Sequence, residues 1–323
     1  MEIRRLFNSK LMLYFKILVS IGILFCFFRK IDYKKLESIL TGINYIFIPV
    51  LLFFIFFRNV IVAVRFRLLI FFKGRLNIFV LFKQYFIASF FNNILPTALG
   101  GDGVRVFLLS ECGISKSESV SFILVERLIG FFSYILIAFF TTFFISIPSQ
   151  IKGLIYLITF VYTASMVSIF YFGWRINTDK IRIRLLQKII SAFILFRDNK
   201  KAIVFAFFVS FLFQLTNIFI SYLVSAAFNM QIPLLFFLGF LPLIGLVVMI
   251  PVSLGGMGLR EMAFVYFFSQ VGVSQENSLV ISLGTYLTLI TGGLVGALLF
   301  FYDKVFLKIR HQLRGGRKWE TIP

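Results

Sequence analysis

Two strings in the chain bring arginine, glycine and carboxylates close together. Pro96 opens PTALGGDGVR, which ends at Arg105, and Pro251 opens PVSLGGMGLR, which ends at Arg260. Asp102 lies inside the first string, Glu261 follows the second, and Glu126 and Arg127 stand early in the apolar run after the first. A helix that starts after a glycine pair leaves backbone N–H groups without acceptors. A guanidinium fork beside it makes that helix end a site for a phosphate or carboxylate. The candidate headgroup site is therefore Gly100, Gly101, Gly103 and Arg105 with Gly255, Gly256, Gly258 and Arg260, joined by Asn92 and Asn93 ahead of the first break. Asp102, at an expected helix N-cap, Glu126, Arg127 and Glu261 are candidates for ion coupling or for ion pairing. Charges in membrane segments commonly pair with one another, so two readings of each arginine stand. Arg105 is either an anion fork or the counter-ion of Asp102 or Glu126, and Arg260 is either a fork or the partner of Glu261.

Other chemistries are excluded by composition. Neither string has the Gly-Lys-Ser/Thr ending of a nucleotide-binding P-loop. One histidine, His311, and two cysteines, Cys26 and Cys112, rule out a Cys/His metal site and a disulfide framework and leave no histidine for a triad outside the basic tail. No cofactor and no metal are expected.

The segments that carry these strings are membrane segments. Of the 323 residues 60% are hydrophobic and 14% charged, and 47 are Phe; a soluble domain carries far more charge. The apolar runs Leu11 to Phe28, Ile43 to Val64, Phe122 to Ile147, Leu154 to Phe172, Ile203 to Phe228 and Leu279 to Phe301 each meet the length of about 20 residues that a bilayer demands. The first is followed by Arg29, Lys30 and Asp32 rather than a small-residue cleavage site, so it reads as an uncleaved span.

The two strings are copies of each other. Pro, Leu, the Gly-Gly pair, the later Gly and the final Arg all match; Gly113-Ile114-Ser115 follows the first and Gly272-Val273-Ser274 the second, displaced by one helical turn. Pro and Gly-Gly argue against a regular helix at either string, and Pro96 and Pro251 are the expected helix breaks. Irregular backbone at membrane depth is tolerated where it is buried in protein or lines a wet cavity. Each copy then reads as the tip of a re-entrant hairpin, with glycine-kinked ordinary spans as the alternative. Counting crossings gives the hairpins opposite orientations. The expected fold is an all-α integral membrane protein, a single polytopic domain over 1–323, with about six full transmembrane helices and two oppositely oriented re-entrant hairpins. The repeat halves fall at approximately 76–147 and 232–302, an arrangement familiar from transporters.

The net charge of +20 is read as cytoplasmic loops against anionic lipid, not as a nucleic-acid surface. Basic residues gather before the first span, between Arg65 and Lys83, in 174–201 and in the tail 303–323, which puts both termini in the cytoplasm of a plasma (inner) membrane protein. The first outer loop, with Arg29, Lys30, Lys34 and Lys35, runs against this pattern. Within 174–201, Ile181, Leu185, Ile189 and Phe193 recur at helical spacing, which fits a surface amphipathic helix or a plain basic loop. Lys16 and Arg58 are expected to snorkel from span ends; Gln214 and Asn217 are expected to bond between helices.

NNILPTALGGDGVRVFLL from Asn92 to Leu109, the Glu126-Arg127 pair, and PVSLGGMGLRE from Pro251 to Glu261 resemble the lysylphosphatidylglycerol synthase transmembrane-region family. That is the flippase-like domain of the multiple peptide resistance factor and its stand-alone relatives. The resemblance covers nearly the whole chain. It implies a flippase-like protein that moves an aminoacyl-phospholipid or glycolipid precursor with an anionic headgroup between leaflets. In two-part members an aminoacyl-transferase domain follows the membrane domain; none is expected here, so the resemblance argues against intrinsic synthase activity. A lysyltransferase-type enzyme and a membrane partner of an envelope-lipid synthase or glycosyltransferase are the alternatives. The second copy departs from the first: Met257 stands where Asp102 would be, and Thr285-Tyr286 where Glu126-Arg127 would be.

Overall fold

The computed structural model describes residues 18–20, 22, 31–70, 76–95, 100–146, 148–172, 184–197, 199–250, 252–253 and 255–302. The elements within them are α-helices: α1 (Tyr33–Thr41), α2 (Phe47–Ile70), α3 (Ile78–Ile94), α4 (Gly100–Glu111), α5 (Lys116–Thr141), α6 (Ser149–Phe172), α7 (Arg184–Ile194), α8 (Lys200–Ala227), α9 (Leu234–Val248), α10 (Leu259–Ser269) and α11 (Gln275–Tyr302). Five of these, α2, α5, α6, α8 and α11, are long and apolar enough to cross a membrane. The chain is an all-α membrane protein. The expected span Leu11 to Phe28 falls largely outside the described residues, as do Pro96, Pro251, the tail and 174–183 of the basic segment.

α3 packs on α4 and α9 on α10. α4 and α10 have 12 and 11 residues, so at 1.5 Å per residue each is about 17 Å long, half of what a ~30 Å hydrocarbon layer requires. Two apolar clusters fix which way each pair points. One gathers the C-terminal part of α2 (Phe66, Leu69, Ile70), the N-terminal parts of α5 (Phe122) and α8 (Ile203), and α7 (Phe193); it includes Leu81 near the start of α3 and Leu109 near the end of α4. The other gathers the far half of α5 (Ile137, Ala138) with Ile145, Ile151 and Ile232; it includes Phe237 near the start of α9 and Phe268 near the end of α10. The two hairpins are rooted at opposite ends of α5, as the duplicated strings predict.

The duplication extends to the caps. Gly113 and Gly272 take left-handed φ values of 84° and 77°. The next residue in each copy closes the helix behind it, Ile114 N–H to Leu109 O and Val273 N–H to Phe268 O, both 3.2 Å. This bond, five residues back across a left-handed glycine, stops a helix by satisfying a free carbonyl. Ser115 and Ser274 then start the long helices, accepting from Glu118 N–H (3.2 Å) and Asn277 N–H (3.3 Å).

The broadest helix contact runs between α3 and α11. A Cβ on Gly296 would land on the carbonyl of Phe86, and one on Gly293 on the Asn93 amide. Gly293 and Gly296 let α11 lie directly against the α3 backbone, in the manner of small-residue membrane interfaces. At the root of the second hairpin, Lys35 of α1 bonds Glu276 of α11 (2.9 Å), and Asn229 donates to Gly42 O (2.8 Å). The loops at 31–46, 228–233 and 275 thus share one side, as expected, and one of the lysines that breaks the charge pattern is paired there.

Three expectations are corrected. The string GGDGVR does form helix: α4 begins at Gly100, and its glycines fill the first turn. α2 continues six residues past Val64, so Arg65 and Arg67 lie in the span and not in a loop. Arg58 sits midway along α2, about 17 Å from either end, too far for its side chain to snorkel. The basic segment resolves in favour of a helix: in α7, Ile190, Ala192 and Phe193 are buried and Lys188 is exposed.

Candidate functional site

Two cavities flank Gln214 of α8, which lines both. The first, about 240 Å³, belongs to the first hairpin. Its wall carries Arg65, Arg105 and Arg127 with Asp102 and Glu126. Glu126, 2% exposed, is gripped from three helices. Arg65 of α2 donates to Oε1 through Nη2 (2.6 Å) and Nε (3.1 Å), Arg105 of α4 donates Nη2 to Oε2 (2.8 Å), and the Tyr85 hydroxyl of α3 donates to Oε1. The Arg105 guanidinium lies between the rings of Tyr85 (4.0 Å) and Phe66 (4.4 Å). Arg65 reaches Ser210 (3.3 Å) and lies over the Phe213 ring (4.8 Å). Asp102 accepts from Arg127 (2.5 Å) and lies 3.6 Å from Arg105. Low polarity strengthens each contact, and the same low polarity makes a broken one costly.

The start of α4 is capped. Asn92 Oδ1 accepts the Gly101 N–H at 2.8 Å, so the N–H expected to be free is capped by a side chain from α3. A Cβ on Gly101 would strike the Ala88 carbonyl, which is why glycine stands there. Asp102 is not an N-cap; it lies in the first turn of α4. Gly103 is exposed, with open space where a Cβ would go, and faces away from the cavity. Asn93 donates to Leu289 O of α11 (3.2 Å) and ties helices together.

The second cavity, about 270 Å³, is lined by Arg58 and Arg260, with Tyr134, Gln214, Asn217, Ser221, Thr285 and Thr288 among its other polar residues, and no carboxylate is on its wall. Arg260 lies over the Tyr286 ring (4.3 Å) and donates Nη2 to Gly255 O (3.2 Å). Its Nη1 is buried without a hydrogen-bond partner, and so is Oγ1 of Thr285. The expected pair with Glu261 does not form: that carboxylate accepts the Gly258 N–H (2.7 Å) and the Ser282 hydroxyl (3.4 Å). Gly255, Gly256 and Gly258 all have positive φ (59°, 83° and 81°), so the second break is an irregular turn where the first is helix. Arg58, 6% exposed, donates to Thr288 O at 3.4 Å.

The structure therefore brings Arg105, Asp102, Glu126, Arg127 and Asn92 together and sets Arg260 in a separate chamber. Sequence reading missed Arg58, Arg65 and Tyr85. Gln214 bonds between helices as expected, to Gly130 O (3.0 Å). Asn217 instead bonds back to Phe213 O in its own helix (3.1 Å).

Comparison with known proteins gives the same assignment from another direction. A family model described as the lysylphosphatidylglycerol synthase TM region matches residues 13–297. A UPF0104 membrane protein of Methanothermobacter thermautotrophicus is 25% identical over 227 residues, covering 61% of this chain and 67% of that protein.

Proposed function

Since the chain belongs to the lysylphosphatidylglycerol synthase transmembrane-region family, we propose that it moves a lipid with an anionic or phosphate-containing headgroup, an aminoacyl-phospholipid or a glycolipid precursor, between leaflets. The observation that carries this reading is the pair of oppositely rooted hairpins, each beside a cavity that holds buried arginines, with Gln214 lining both cavities. A headgroup crossing a bilayer needs polar partners at mid-depth. Short helices broken from opposite sides supply them without opening backbone to hydrocarbon. The apolar outer faces of α2, α6, α8 and α11 leave acyl chains in lipid while the headgroup passes inside.

The test is reconstitution of the purified protein into vesicles with a fluorescent phosphatidylglycerol and a membrane-impermeant quencher. Parental protein is expected to make the inner-leaflet label accessible. Arg105→Ala is expected to abolish this while Arg67→Ala, on an exposed position of α2, leaves it intact. Quenching no faster than in empty vesicles would overturn the reading.

In this reading the protein lies in the plasma membrane with both termini cytoplasmic, downstream of an envelope-lipid synthase or glycosyltransferase. Single cysteines near Gln150 and Gln275 should label from outside intact cells, and cysteines near Asn177 and in the tail should not. External labelling at Asn177 would reverse the orientation.

A further inference from the structure

The second cavity holds two guanidinium groups and no carboxylate on its wall. That is an unstable arrangement for a membrane interior. Buried charges are retained when they are paired, and the first cavity follows that rule. Arg58 is 94% buried at the middle of a span, and its interaction is with the Thr288 carbonyl. Arg260 presents an unpartnered Nη1, and Thr285 beside it an unpartnered hydroxyl. Thr285 and Thr288 are three residues apart on α11 and so lie on one face, with Cβ atoms about 5–6 Å apart. Arg58, Arg260, Thr285 and Thr288 all line this one cavity, and Arg58 bonds the Thr288 carbonyl there. The space is ample, since a water needs about 10–15 Å³ and the cavity offers about 270 Å³.

Resting on the transport reading, we propose that the second cavity is a phosphate site, in which Arg58 and Arg260 donate to the anionic oxygens of a phosphodiester and the Thr285 hydroxyl donates beside them. In the first cavity Glu126 and Asp102 already occupy the guanidinium groups of Arg65, Arg105 and Arg127 that a phosphate would need. The anion therefore belongs with Arg58 and Arg260, and Arg105 is a positioning residue that holds α4 against α5. Planar forks rather than flexible ammonium groups suit the task, because a tetrahedral phosphate presents two oxygens in the plane of each guanidinium.

The experiment is native mass spectrometry of the detergent-purified full chain with three probes: phosphatidylglycerol, diacylglycerol with the same acyl chains, and inorganic phosphate. Phosphatidylglycerol is expected to bind and diacylglycerol not to. Arg58→Met and Arg260→Met should each weaken binding by at least about tenfold, the loss of a hydrogen bond to a charged group, and Thr285→Val by about tenfold or less. Arg67→Ala should bind as the parent does. The Met variants also keep the test sharp if one fails to fold, because Thr285→Val deletes a single hydroxyl that makes no bond in the free protein. Binding of phosphatidylglycerol at parental strength by the Arg variants that fold and by Thr285→Val, or equal binding of diacylglycerol, overturns the site. Inorganic phosphate bound through the same three residues, with phosphatidylglycerol excluded, leaves the phosphate site standing and overturns its lipid source. Arg-dependent binding by a protein that moves no lipid in vesicles leaves the site standing and overturns the transport reading instead.

Discussion

The two hairpins descend from one repeated string, yet one is locked and the other is open. In the first, Arg105 finds a carboxylate at Glu126, a tyrosine hydroxyl shares that carboxylate, and Asn92 closes the helix end. In the second, the position of Glu126 is taken by Thr285 and that of Arg127 by Tyr286. Arg260 accordingly stacks on the ring and keeps an N–H free. The caps that end each hairpin are nearly superimposable in their bonding, so the divergence is confined to the polar face. Two acids exchanged, Asp102 for Met257 and Glu126 for Thr285, leave in place of a structural ion cluster a chamber whose described lining has arginines and no carboxylate.

The comparison is most exposed at Glu126. Glu126→Gln leaves Arg65 and Arg105 buried without their shared counter-charge, and should cost about 3–5 kcal/mol, seen as a collapse of the melting temperature in detergent and of cellular abundance. Parental melting would mean that the first cluster is not a lock. Adding Arg105→Met to Glu126→Gln should recover part of the loss, because the pair is coupled; strict additivity would sever the two residues. Next in size is Gly101→Ala, whose Cβ strikes the Ala88 carbonyl and should cost about 1–3 kcal/mol by overpacking. Gly255→Ala meets nothing in space and should cost roughly 1–2 kcal/mol from its left-handed backbone alone. Smallest is Arg260→Met, which removes an unpaired buried donor. In ligand-free protein it should melt within about 0.5 kcal/mol of the parent or above it, the opposite of Glu126→Gln. A loss as large as that of Glu126→Gln would show that the second chamber is as tightly built as the first.

What the sequence discloses follows from how local each signal is. The membrane character of the spans, the repeat and its inversion are written in runs of a few residues and are legible, whereas the span ends are not: α2 runs on to Ile70. The cluster around Glu126 is not local: Arg65, Tyr85 and Arg105 reach it from 61, 41 and 21 positions away. A charge near the end of an apolar run looks the same whether it faces lipid headgroups or a buried acid, so Arg65 reads as loop. Arg58 is worse placed, because its contact on α11 lies 230 residues on. Its distance from both ends of α2 becomes apparent once the helix is seen to run to Ile70. The glycine strings mislead in a different way. Gly100 and Gly101 suggest irregular backbone, but in α4 they serve close approach to Leu95 and Ala88, a need that spacing cannot reveal.

The seam between α3 and α11 has a mechanical consequence. α3 belongs to the first repeat and α11 to the second, and Gly293 and Gly296 bring their backbones into direct apposition. Sliding one past the other would drive main chain into main chain, so these two helices behave as a single beam that straddles the repeat boundary. The second hairpin carries two features that the beam lacks: Pro242 in the interior of α9 and the left-handed Gly255, Gly256 and Gly258 that lead into α10, which packs on α11. A conformational cycle in this molecule would be the swing of one flap against a fixed frame, and the frame carries the locked cluster.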